Sequence, residues 1–257
     1  MTDKNKEVHD YHTIKSKPII LKDNYIFFRT NFFFNILSKI VIILFIIFSY
    51  FLYGKLYLGL RIKNKKGLKV LKNEGHILMS NHMHQFDAIW IGCLMFPKKL
   101  FVTMLQSNLG IPFAGKLFRY AGAVPIPEKK NQMFNFLDEM KRELSLNKSV
   151  LVMPEAAIKP YNIGIRKFFN GGFRFASISE VNILPLVYVY KNRKGLGKLI
   201  HKKPRIELHV LTPYLMPKLE NERASARLAN KEVNKIMSDY FNTHSDLKDP
   251  NYENSKK

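Results

Sequence analysis

The chain has 257 residues, of which 46% are hydrophobic, enough for one good-sized core plus a small appendage, so one main domain is the natural count. A formal charge of +22 and a pI near 9.9 point to an acidic partner, whether nucleic acid, an anionic bilayer or a phosphorylated substrate. The single cysteine, Cys93, excludes an intrachain disulfide, permits a cytosolic domain and reads as core filler inside an apolar run.

The N-terminal stretch carries Lys15, Lys17, Lys22 and Arg29 and then turns apolar. Phe32, Phe33, Phe34, Ile36 and Leu37, interrupted by Asn35, Ser38 and Lys39, lead into an unbroken run over residues 40–53. At about 1.5 Å per residue that run covers about 21 Å, short of the ~30 Å hydrocarbon core. A full span must therefore recruit Phe32 onward and tolerate Lys39, and a shallow or re-entrant insertion is the other membrane reading. A buried core helix is the third. Lys55, Arg61, Lys63, Lys65 and Lys66 follow, so both flanks are basic, which favours keeping both ends on the cytoplasmic side. The run lies far from Met1 and no small-residue cleavage site follows it, which argues against a secretory signal.

From Leu60 onward short apolar runs alternate with amphipathic stretches, without repeats or low-complexity segments, and this predicts an α/β domain over residues 60–242 behind an N-terminal region over residues 1–59. Predicted strands cover residues 77–79, 100–102, 150–153, 184–189 and 206–210. A helix is expected at 88–96, another at 132–146, where Met133, Phe136, Leu137, Met140 and Leu144 share a face, and a last one at 222–241. The polar tail, 243–257, reads as disordered.

The segment Asn81-His82-Met83-His84-Gln85-Phe86-Asp87 follows the first of these strands, placing a histidine and a carboxylate five positions apart at a strand's carboxyl end. Ligands bind at that edge in open α/β sheets. A base that takes a proton from an alcohol needs a neutral, oriented imidazole, and a carboxylate on its other nitrogen provides both orientation and charge stabilisation. In that reading His82 abstracts and Asp87 orients. Asp87 as a plain N-cap of the next helix is the alternative. A metal site formed by His82, His84 and Asp87 is disfavoured, because no second cluster completes it.

Three further stations fall near strand ends: Gly122-Ala123-Val124-Pro125-Ile126-Pro127 ahead of Glu128-Lys129-Lys130; Pro154-Glu155-Ala156-Ala157; and Phe169-Asn170-Gly171-Gly172 leading on to Leu184-Pro185-Leu186-Val187. In order and spacing, residues 60–241 resemble the glycerolipid acyltransferase family, which includes the 1-acylglycerol-3-phosphate acyltransferases. Asn81, His82 and Asp87 meet its Asn-His-x4-Asp motif in full. Gly122, Val124 and Ile126 match its second motif, but Glu128 stands at the arginine position. Of Phe-Pro-Glu-Gly-Thr-Arg only Pro154 and Glu155 remain, with Met153 for the aromatic and Ala156-Ala157-Ile158 for the rest. Leu184-Pro185-Leu186-Val187 resembles the fourth motif, and Phe168-Phe169-Asn170-Gly171 the segment before it. An N-terminal membrane-associating element is also typical of the family.

The resemblance implies a mixed central sheet flanked by helices, no cofactor, and transfer of a fatty acyl group from acyl-coenzyme A or acyl-carrier protein to a lysophospholipid hydroxyl. His82 would serve as base and Asn81, Gly122, Pro154 and Glu155 would line the acceptor site. The two absent arginines are those expected on the acceptor's phosphate, so Lys129, Lys130, Lys159, Arg166 and Lys167 are the candidates to replace them, or the acceptor carries another head group. The expected partners include an anionic membrane on the cytoplasmic side but no nucleic acid, because the lysines are scattered and no such motif occurs. A serine or cysteine hydrolase lacks its Gly-x-Ser-x-Gly elbow. A degenerate relative that only binds lipid is the remaining rival.

Overall fold

A computed structural model describes residues 16–195, 198 and 203–247. Seven strands form one sheet in the order β1-β7-β6-β2-β5-β3-β4, with β1 Arg61–Lys63, β2 Ile77–Ser80, β3 Leu100–Leu105, β4 Ala123–Ile126, β5 Ser149–Val152, β6 Ile183–Lys191 and β7 Arg205–Val210. β6, β2, β5, β3 and β4 run parallel, while β7 is antiparallel to β6 and parallel to β1. The expected mixed sheet is therefore present. Its central strands β2 and β5 are buried at every residue, as near-continuous apolar strands covered on both faces should be. Pro185 sits in β6 between the Ile183–Tyr214 bridge and the first β6–β7 pair at Leu186, where its carbonyl accepts from Leu211 N at 3.0 Å and its missing N–H leaves the return bond to Leu211 unmade.

Helices α2 Asp87–Met95, α3 Ala114–Tyr120, α4 Lys130–Ser145, α5 Gly171–Ile178 and α6 Glu222–His244 flank the sheet. α5 and α6 pack on each other and on β2 and β6, α4 packs on β5, and α2 lies between β3 and the N-terminal helix. The strands at residues 61–63 and 123–126 have no counterpart among the sequence-based ones: the first is only three residues, two cations around one isoleucine, and the second reads only as a motif. The last helix also runs past residue 241, and Ser245 and Leu247 pack behind it, with Ser245 Oγ accepting from Tyr190 N at 3.2 Å. The start of the tail is thus ordered, and residues 248–257 lie outside the described ones.

Residues 16–31, part of the basic N-terminal segment, form a strap along the domain. Phe27 and Phe28 are fully buried against Phe136 and Phe101, each contributing about 1.5–3 kcal/mol. The backbone of the strap is bonded by side chains from the domain: Glu139 accepts from Phe27 N at 3.3 Å and Phe28 N at 2.9 Å, Arg119 donates to the carbonyls of Ile26 and Phe27, and Gln132 to those of Leu21 and Lys22. Such a segment has no ladder of its own, so these bonds satisfy its buried polar groups.

The apolar stretch is one helical element, α1, regular over Phe32–Phe45 and widened to i→i+5 bonding over Ile46–Leu58. Asn31 caps it by accepting from Phe34 N at 3.0 Å. Ser38, Val41, Ile42 and Ser49 face the domain, whereas Phe33, Ile36, Leu37, Ile40, Ile43, Leu44, Ile47, Phe48, Phe51 and Leu52 form an exposed apolar stripe. The buried-core reading is therefore corrected: one flank of the helix docks on α2 and α3, and the other is left bare.

Candidate active site

β2 ends at Ser80 in the middle of the sheet, and the next residues turn back into α2. Asn81, buried, locks that turn to the neighbouring strand: its Oδ1 accepts from Tyr188 N at 2.8 Å and its Nδ2 donates to Tyr188 O at 3.1 Å. This pair of bonds continues the β2–β6 pairing beyond the end of β2. The Asn81 amide is committed to the backbone of Tyr188 and positions the loop that carries His82.

Asp87 is the hub of the turn. It is fully buried, at the first turn of α2, where the helix dipole favours its charge. Oδ1 accepts from Ala88 N at 2.6 Å, while Oδ2 accepts from Met83 N at 3.0 Å, His84 N at 3.2 Å and the ring Nδ1–H of His82 at 2.8 Å. The plain N-cap reading fails, because Asp87 is the first residue of α2, with Phe86 at the N-cap, and its carboxylate accepts from Met83, His84 and Ala88 and not from an amide two or three residues on. Tyr188 also donates its hydroxyl to Asp87 O at 2.8 Å, so β6 holds both ends of the loop.

With Nδ1 engaged, His82 presents Nε2 outward, its side chain 23% exposed. Burial alone would lower its pKa, but the charge and hydrogen bond of Asp87 together with nearby Glu155 outweigh burial and the opposing Arg166, leaving it above 6.5. His84 follows a different course. Its Nδ1 accepts from Phe86 N at 3.1 Å, its ring stacks on Trp90 at 4.7 Å, and Nε2 lies 3.4 Å from Tyr53 Oη on α1. Burial lowers its pKa, so it is a neutral packing residue that ties the loop to the apolar helix. Trp90 adds a second tie, donating to Ser49 O at 3.0 Å.

Glu155 closes β5 on the same edge and is 4% exposed. Oε1 accepts from Arg166 N at 3.1 Å, and Oε2 accepts from Arg166 Nε at 3.0 Å and Nη2 at 2.6 Å and from His82 N at 3.4 Å. Burial pushes its carboxyl pKa up and Arg166 opposes. Arg166 also donates to Ala157 O, so it clasps the turn that follows β5. Lys159 N donates to His82 O at 3.3 Å, and Phe169 N to Pro154 O at 2.8 Å. Arg166, Glu155 and His82 thus form one connected unit, a pairing the sequence hid because the partners come from separate motifs.

Not every expected acceptor residue lies here. Gly122 precedes β4, and β4 runs parallel to the strands between it and β2, so Gly122 sits at the amino edge of the sheet while His82 is at the carboxyl edge. Its φ is +96°, and a Cβ there would meet Leu100 O at 2.3 Å, so glycine is required by the turn and not by a ligand. Lys129 and Lys130 are exposed beyond the carboxyl end of β4, and Lys159 and Lys167 are exposed beside the Glu155 turn. Pro154 is buried beneath that turn.

The acyltransferase family profile matches residues 61–189, the stretch that carries the loop, the dyad and the Glu155 turn. A search of curated proteins finds no match. Among solved structures, the fold is similar to that of the 1-acyl-sn-glycerophosphate (LPA) acyltransferase PlsC from Thermotoga maritima, with a TM-score of 0.54 and 16% identity over 82% of this chain and 78% of that one. With half of its length matched and the fold shared, the chain belongs to the acyltransferase family.

Proposed function

We propose that the protein moves a fatty acyl group from an acyl thioester of coenzyme A or acyl-carrier protein to a hydroxyl of a lysophospholipid such as 1-acylglycerol-3-phosphate. The observation that carries this reading is the His82–Asp87 pair at 2.8 Å with Nε2 facing outward at the carboxyl end of β2. The acceptor O–H gives its proton to Nε2 as its oxygen bonds to the thioester carbonyl carbon. The C–S bond then breaks, and the leaving thiolate takes the proton back from the imidazolium. No covalent enzyme intermediate is needed, since positioning and general-base help act on an already activated thioester. The comparison with PlsC supports a glycerophosphate acceptor, whereas the replaced motif arginines favour a second reading in which the acceptor head group differs.

The exposed stripe on α1 supports membrane association. The element is 27 residues long, about 40 Å if regular, but its other flank is occupied by α2 and α3. A helix docked lengthwise on a polar domain suits a shallow seat in one leaflet better than a span, with the domain on the cytoplasmic side. Phe113 on the loop before α3, 97% exposed, and Leu117, 41% exposed, add apolar surface beside it.

Thiol release by the detergent-solubilised protein, with acyl-coenzyme A and acyl-carrier protein as donors across a panel of lysolipids, tests the function. Release that needs both acceptor and His82 supports it. Equal silence of wild type and His82→Ala with every acceptor favours the lipid-binding rival.

A further inference from the structure

Beyond the dyad, the carboxyl edge of the sheet carries a second feature. A cleft of about 460 Å³ opens where α1 meets the sheet, and five cations line it: Lys55, Arg61, Arg193, Lys194 and Arg205. Phe51, Leu56 and Leu60 supply its apolar wall. Gly59 lies between them with φ +71°, and a Cβ there would come within 3.3 Å of both Arg193 Nη1 and Arg205 Cβ, so the cleft's floor depends on a missing side chain.

Two of the cations have structural anchors. Arg193 donates to Leu58 O at 2.7 Å and Tyr57 O at 3.3 Å, capping the end of α1, and Arg205 pairs with buried Glu207 at 3.0 Å. Among the described residues no carboxylate lies within ion-pair distance of Lys55, Arg61 or Lys194. Crowding like charges without counter-ions opposes folding, so such a cluster points to an anionic ligand.

Topology fixes how the cleft stands to His82. Arg193 follows the carboxyl end of β6, and Arg205 and Arg61 begin the antiparallel β7 and β1, so all three lie on the same edge as His82. β1 is three strands from β2, a gap of about 14 Å at ~4.8 Å per strand. Between them, Lys203 lies over the Tyr161 ring at 4.7 Å, and Tyr161 stacks on Tyr190 at 6.0 Å. A glycerol unit, a few bonds long, cannot bridge that gap with its hydroxyl at His82. A pantetheine arm, extended and many bonds long, can.

We propose that this cleft holds the phosphate groups of coenzyme A, with the pantetheine arm running across the edge of β7 and β6 to place the thioester beside His82. The proposal rests on the acyl-transfer reading for the arm's destination, but the cleft itself is tested by binding alone. The probe is free coenzyme A, titrated calorimetrically into the full chain in detergent, comparing wild type with the double variant Arg61→Gln, Lys194→Gln, which leaves the anchored arginines in place.

The expected result is a Kd at least tenfold weaker in the variant, with unchanged binding to vesicles containing phosphatidylglycerol. In turnover, the KM for palmitoyl-coenzyme A should rise in parallel at constant kcat, while an N-acetylcysteamine thioester, which has no phosphate, should serve both proteins equally. Coenzyme A binding that is absent from the wild type or unchanged in the variant overturns the proposal. So does a variant that loses vesicle binding and keeps coenzyme A, which would make the cleft a lipid head-group site. Coenzyme A binding that depends on the cleft without turnover on any acceptor would sink the acyl-transfer reading alone, and turnover that depends on His82 but ignores the cleft residues would sink the cleft alone.

Discussion

Oδ2 of Asp87 lies 2.8 Å from Nδ1 of His82 and accepts the backbone N–H groups of Met83 and His84 at 3.0 and 3.2 Å. One oxygen thus fixes the ring's tautomer and the path of the loop that carries it. Removing the imidazole, in His82→Ala, should lower kcat by about 10²–10⁴-fold with little change in acceptor KM. Asp87→Asn should lose about 10²-fold or more, because an amide in that position retains only part of the hydrogen-bond network. Steady-state kinetics on the folded variants decide. A variant without His82 that kept wild-type kcat would remove the base from the mechanism.

The same pair sets the pH dependence. Only neutral His82 can accept a proton, and its pKa is held above 6.5 by Asp87 and Glu155 against the effect of burial. Activity should therefore fall as pH drops through a value above 6.5, the protonated ring being inactive. In Asp87→Asn the largest raising influence is gone while burial remains, so the acid limb of the residual kcat/KM should move downward. An unchanged limb would show that a group other than His82 governs it.

Glu155 and Arg166 form the other charged pair of the site, with side chains 2% and 17% exposed. Glu155→Ala would strand the guanidinium against the turn and free the His82 amide. Breaking such a pair costs about 3 kcal/mol, readable as a lower denaturation midpoint. Arg166→Lys separates positioning from acceptor binding: loss of stability at constant acceptor KM marks a clasp, whereas a raised KM at constant stability marks a phosphate ligand.

Gly122→Ala provides a control on motif reading. The substitution forces a Cβ to 2.3 Å from Leu100 O at a φ of +96°, so it should destabilise by about 1–3 kcal/mol. Because the residue lies at the amino edge, acceptor KM should stay constant in the fraction that folds. A raised KM with an unshifted melting curve would return Gly122 to the binding site.

How much of this was legible depended on the range of each interaction. The His82–Asp87 pair spans five residues and is local, so spacing offered it beside a plain N-cap, and the order of the later motifs favoured it. The fully buried strands β2 and β5 announced themselves as apolar runs. The strap over residues 16–31 did not, because its fold is dictated by Glu139, Arg119 and Gln132, about a hundred residues away, and no periodicity records that. Arg166 was picked out for its charge, but its partner could not be known. For Asn81 and Gly122 a motif position tells which residue type is required, and geometry is needed to tell whether a ligand or the backbone requires it: Asn81 bonds both backbone groups of Tyr188, and Gly122 turns at the amino edge with a φ of +96°.

The turn after β5 carries the sharpest departure from the family pattern, and it tests that last distinction. Ala156 stands where the motif has glycine, and its φ is +59°, the left-handed region that costs a non-glycine residue about 1–2 kcal/mol. The chain has kept the glycine conformation without the glycine. Ala156→Gly removes that strain and returns about 0.5–1 kcal/mol through the greater freedom of the unfolded chain. A net gain of about 0.5–1 kcal/mol in stability is therefore expected, read as a higher midpoint in chemical denaturation. The side chain is exposed and its N–H already bonds Met153 O at 3.0 Å, so no packing is lost. Activity should be unchanged, because Glu155 and Arg166 keep their bonds. A destabilised Ala156→Gly would mean that the turn relaxes out of the left-handed region and that the departure from the motif reshapes the acceptor side of the site.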